Sequence, residues 1–130
     1  MVSADIKRSI ELAREDILVY KKSKVLIEQL EGQIEECRHL KTYIAFPNAL
    51  RNEIERAGKL TLSIRNSLPK PKNGLDVGEN KNRLYTILTR ITAFLELMLD
   101  YTNDIAYLKQ KFREIENELK LEEILIKNAF

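Results

Sequence analysis

At 130 residues and a net charge of +2, from 22 Lys and Arg against 20 Asp and Glu, the chain has the size of one domain and lacks a strong charge bias. Charged residues at 32%, hydrophobic residues at 44%, three prolines and four glycines are the balance of helix bundles and coiled coils rather than of disordered or β-rich chains. No apolar run approaches the roughly 20 residues that span a bilayer. No basic-then-apolar N-terminal stretch predicts secretion. One cysteine cannot build a disulfide framework, which fits a reducing, cytoplasmic compartment.

The first predicted helix covers about residues 4–44, with Ser3 as its N-cap. Its apolar residues Ile6, Ile10, Ala13, Ile17 and Tyr20 alternate four and three apart, and the stripe resumes at Ile27, Leu30, Ile34, Cys37 and Ile44. That is a heptad-type seam interrupted near Ser23 and Lys24. Phe46-Pro47 ends this helix, because the residue before a proline is pushed away from helical angles, and Asn48 is placed to cap the next. The second helix, about 48–67, steps regularly through Leu50, Ile54, Ala57, Thr61, Ile64 and Leu68. Residues 68–80, "LPKPKNGLDVGEN", then form an interhelical loop: Pro69 and Pro71 stop the helix, and Asn73-Gly74 and Gly78 supply turn chemistry. A phosphate-binding loop is excluded there, since Glu79 follows Gly78 where Lys-Ser or Lys-Thr is required and no strand precedes it.

The third predicted helix is the longest, about 81–128. Leu84, Leu88, Ile91, Leu95 and Met98 form one heptad run, and Tyr101, Ile105, Leu108, Phe112, Ile115 and Leu119 a second. The step from Met98 to Tyr101 reads as a slip of the seam within a continuous helix. The expected fold is therefore all-α: a single domain, 1–130, in which three long helices form an antiparallel bundle or coiled coil. Rods of roughly 60, 30 and 70 Å, at about 1.5 Å per residue, cannot cover one another. The stripe Tyr101, Ile105, Leu108, Phe112, Ile115 and Leu119 is thus expected to form a homodimer or partner interface.

Residues that carry chemistry are few. Glu36-Cys37-Arg38-His39 contains the Glu-x-x-His spacing of di-iron bundles, but those need two such units, and the chain has one histidine. His39 reads instead as a helix-end surface residue. Cys37 lies on the apolar stripe as a small buried residue. Two positions apart on a helix, Cys37 and His39 point about 200° from each other and cannot act as nucleophile and base. The glutamates of the C-terminal stretch, Glu114, Glu116, Glu118, Glu122 and Glu123, read as a solvated face. No catalytic residue, metal ligand or cofactor site is assigned. Residues 48–82 are mildly basic, and Arg51, Arg56, Lys59, Arg65, Lys70 and Lys72 are candidate phosphate contacts. No helix-turn-helix, zinc finger or RNA-binding signature accompanies them, and no helix pairs a basic face with an aromatic-rich apolar one, so no membrane contact is expected.

Residues 90–130, through Ile105-Ala106-Tyr107-Leu108-Lys109 and an Ile/Leu-rich helix ending in Leu125-Ile126-Lys127, resemble the helical region of phage late-gene regulators of the ArpU/RinA kind. The helix-turn-helix of that family would follow Phe130, where this sequence stops. The resemblance implies a phage or mobile-element origin and an oligomerising or partner-binding role. The expected function is that of a non-enzymatic helical interaction protein, a scaffold, adaptor or inhibitor, that binds an unidentified protein partner through coiled-coil surfaces. The alternative is a nucleic-acid-binding accessory or regulatory protein that uses residues 51–83.

Overall fold

The computed structural model describes residues 2–68 and 79–129, and these are helical apart from short connections. Helix α1 runs Val2–His39, a 3-10 turn Leu40–Tyr43 follows, and α2 covers Pro47–Ser67. Helix α3 is Glu79–Leu99 and α4 is Ile105–Ala129. Within the predicted loop 68–80, residues 69–78 lie outside the described residues, whereas Glu79 and Asn80 already belong to α3.

Three local boundaries differ from those read in the sequence. Helix α1 includes Val2, so Ser3 lies within it and does not cap it. Its α-helical part ends at His39, and the 3-10 turn buries Leu40 before the chain reverses. At the start of α2, Phe46 is the N-cap residue in a non-helical conformation and Pro47 follows at the first helical position. There the missing N–H of a proline costs nothing, so Asn48 lies inside the helix.

The largest difference is at residues 100–104. The expected helix 81–128 is two helices joined by a tight corner. Met98 and Tyr101 carbonyls accept from the backbone of Tyr101 and Asp104 at 3.1 and 3.0 Å, turning the chain. Asp104 then caps α4: its Oδ1 accepts from the Tyr107 N–H at 3.1 Å and its carbonyl from Leu108 at 3.0 Å. On the other side, Arg51 donates to the Leu99 carbonyl at 2.8 Å, placing a cation on the negative end of α3. The run Asp100-Tyr101-Thr102-Asn103-Asp104 is rich in residues that bond their own backbone. The apparent slip of the seam is therefore a turn.

With the corner in place, the four α-helices of the described residues pack antiparallel in chain order. Gln33 meets Thr61 across α1 and α2, and Arg65 lies over the Tyr85 ring across α2 and α3. Arg90 meets Glu118 across α3 and α4, and Arg38 meets Glu116 between α1 and α4. The α2 stripe is buried throughout, as its spacing predicts, and Leu84, Leu88, Ile91, Leu95 and Met98 of α3 face it. Leu108, Phe112, Ile115 and Leu119 are at most 5% exposed. They belong to the same core as Ile34, Leu50, Ile54 and Ile91, which corrects the expectation that they present a strip to a partner. Folding α4 back onto α3 buries that strip within the chain itself.

Candidate functional site

Helix α1 has 38 residues whereas α2 and α3 have 21 each. At about 1.5 Å per residue, α1 is roughly 25 Å longer than its neighbours. The excess lies at its N-terminal half. Leu26 is partly buried against the core and Leu30 fully buried, but Ile6, Ile10, Leu12, Ile17, Leu18 and Val25 are 47–55% exposed. A helix in open water exposes such residues only at a cost of about 25 cal/mol for each Å² of apolar surface left uncovered. This free half is the largest group of exposed aliphatic side chains among the described residues.

The residues expected to form an interface divide. Leu108, Phe112, Ile115 and Leu119 are core, while Tyr101 and Ile105 are 46% and 51% exposed at the α3–α4 corner. There Tyr101 packs on Tyr107 with ring centroids 4.3 Å apart. The basic set also divides. Arg51 is committed to the Leu99 carbonyl, and Arg65 lies 5.3 Å over Tyr85 and donates to Asn66 at 3.2 Å. Arg56 and Lys59 face solvent, with Arg56 3.9 Å from Glu53. Lys70 and Lys72 lie outside the described residues.

A buried polar cluster was not legible as such. Gln33, Thr61 and Glu122 are fully buried and Cys37 is 2% exposed, where α1, α2 and α4 meet. Glu122 is thus not part of a solvated glutamate face; it continues the α4 seam three residues after Leu119, which is the signal that would have placed it inside. Two hydrogen-bond arrangements fit the same space. With Glu122 protonated, its hydroxyl donates to the Gln33 amide oxygen. Gln33 Nε2 then donates to Thr61 Oγ1 at 3.2 Å and lies 3.5 Å from Cys37 Sγ, while Thr61 donates to the Ala57 carbonyl at 2.7 Å. With Glu122 ionised, the amide turns over: Nε2 lies 2.6 and 3.1 Å from the two Glu122 oxygens, and the amide oxygen accepts from Thr61 at 3.2 Å. The single Thr61 proton cannot serve both Ala57 and Gln33, so the ionised arrangement loses one bond.

Burial agrees with the protonated form. It pushes the Glu122 carboxyl up to about 8; nearby Glu123 adds to the shift, while Arg38 and the Gln33 bond oppose it. Arg38 is held at the rim by Glu116, to which Nε and Nη2 donate at 3.1 and 2.9 Å, and by Glu123. The guanidinium draws the Glu116 carboxyl below its ordinary range. Burial likewise raises the Cys37 thiol to about 12, so at neutral pH it is neither thiolate nor nucleophile. His39 is exposed, its ring edge-on to Tyr43 at 5.6 Å. Among the described residues no three His, Cys, Asp or Glu side chains converge to hold a metal ion, and no helix is long and apolar enough to cross a membrane.

No protein-family model, curated protein or solved structure matches the chain.

Proposed function

We propose that the chain is a non-enzymatic helical interaction protein, a scaffold, adaptor or inhibitor, that binds a macromolecular partner helix against helix. The observation that carries this reading is the free half of α1, where six large aliphatic residues of one helix remain about half in water. Exposed apolar surface of this kind marks interaction sites; Ile6, Ile10 and Ile17 line one side of α1, spaced for helix-on-helix docking, while Leu12 and Leu18 lie on other sides of the same helix. The inert Cys37 thiol and the exposed His39 offer no nucleophile–base pair, which supports binding over catalysis. A cytoplasmic setting and a phage or mobile-element source belong to the same reading.

The test uses the full chain with Leu12→Lys and Leu18→Lys. A partner captured by the wild-type protein is identified, purified and titrated against both proteins. At least tenfold weaker binding by the variant is expected; equal binding removes α1 as the docking element. The alternative, nucleic-acid binding, has Arg56 and Lys59 as its exposed contacts and is weakened by the commitment of Arg51 and Arg65 to intrachain partners.

A further inference from the structure

We propose that the Ile6, Ile10 and Ile17 stripe of α1 pairs in parallel with the same stripe of a second copy of this chain. The proposal rests on the reading of α1 as the interaction element and names the occupant of one of its faces.

With Ala13 between them, these residues step four, three and four apart, the spacing of a two-stranded seam. At about 100° per residue, this stripe lies roughly 140° around α1 from Leu30, Gln33 and Cys37, the face that enters the bundle. Two copies can therefore meet along the stripe with their bundles on opposite outer sides. Leu12 and Leu18 point elsewhere on the helix and stay available to another partner.

Charge selects the direction. Lys7, Arg14 and Lys21 run along one flank of the stripe at seven-residue spacing. In an antiparallel pair that flank meets itself, base against base. In a parallel pair it meets the other flank, which at the same spacing is Ser9, Asp16 and Ser23 in the sequence and carries no base. Flanking charges of this kind set orientation in coiled coils. Charge also sets where pairing ends. Continuing the same alternation along α1 brings Lys24 and Glu31, both exposed, where like charges would face each other, and Ile34, which is buried in the chain's own core. Leu26 is where α1 joins its own bundle. The segment free of the bundle is thus the segment fit for pairing, about three heptads. Isolated helices of that length are marginal, but here the helix is already nucleated by its folded half.

The experiment is sedimentation of the full-length chain over a concentration series, with direction read by cysteine crosslinking. The expected mass is twice 15.2 kDa at high concentration, with at least a tenfold weaker association for Ile10→Glu with Ile17→Glu. The thermal transition of the variant's bundle should be unchanged, since neither residue packs into the core. Oxidised Ile10→Cys should crosslink at least tenfold faster than Lys22→Cys, which lies off the stripe, while Cys37 is buried. A wild-type monomer at all concentrations overturns the proposal, as does crosslinking of Ile10→Cys only to Ile17→Cys of the other chain, which reports an antiparallel pair. Either result leaves partner binding through Leu12 and Leu18 to its own titration, so failure of the dimer and failure of the interaction reading are separable.

Discussion

Replacing Glu122 by glutamine tests the buried cluster directly. The folded-state carboxyl titrates at about 8 against an ordinary 4.5. The folded protein therefore holds a proton that the unfolded chain releases from pH 4.5 upward. The stability gained from this is fully present below pH 4.5 and is lost as pH rises toward and through 8. Between about pH 5 and pH 8 the linked loss is roughly 3–4 kcal/mol, a large part of the ~5–15 kcal/mol that stabilises an ordinary domain. At roughly 4 °C per kcal/mol for a domain of this size, the melting temperature should fall by about 10–15 °C. The substituted amide would be neutral at every pH, and it can donate to the Gln33 oxygen as the protonated carboxyl does. The E122Q variant should therefore lose this slope and melt above the wild type at pH 8 and higher. Thermal melts by circular dichroism at half-unit steps from pH 5 to 9 measure both curves. Parallel curves for the two proteins would refute the assignment of the slope to Glu122.

The Arg38–Glu116 pair has the opposite sign: Glu116 is depressed below 4.5, so its contribution is present above that pH and lost as pH falls through the lowered value. Arg38→Gln should flatten the acid side of the melting profile while leaving the slope between pH 5 and 8 in place. Asp104→Ala removes the cap of α4 and should cost about 1 kcal/mol, or roughly 4 °C; an unchanged melt would mean that the corner does not depend on the cap. Phe112→Ala opens the core and should cost about 3–5 kcal/mol with no change in association, whereas an interface role would give monomerisation at unchanged stability. In gel shifts at two salt concentrations the wild type should bind nucleic acid feebly at physiological salt. Tight, salt-steep binding abolished by Arg56→Gln, Lys59→Gln and Arg65→Gln together would promote the nucleic-acid reading.

The stripes of α2 and α3 were legible because regular steps of four and three have one helical meaning, and every residue of both is buried. The corner was not, because two heptad runs separated by a step of three fit a seam slip and a turn equally well when only apolar residues are counted. The polar run from Asp100 to Asp104 carried the deciding information. The corner also moves the exposed surface: a continuous helix 81–128 leaves Leu108 to Leu119 uncovered, whereas a hairpin buries them. The shortage of cover passes instead to α1, which has 38 residues against 21, 21 and 25 in the other described α-helices. Glu122 is ambiguous in the sequence for a different reason. Periodicity places it in the core, composition places it at the surface, and only Gln33 and Thr61 supplied from other helices decide between them.

The same cluster bears on how α1 is held. Helix α2 packs extensively on α3, and α3 on α4, whereas α1 touches the bundle only along its second half. Much of that hold is polar: Gln33 to Thr61 and Glu122, and Arg38 to Glu116 and Glu123. Ionising Glu122 takes one hydrogen bond from this seam and places a charge in it, at the junction of α1 with α2 and α4, while the α2–α3 stripe contains no ionisable group to respond. The free energy lost on raising the pH is therefore lost at the attachment of α1.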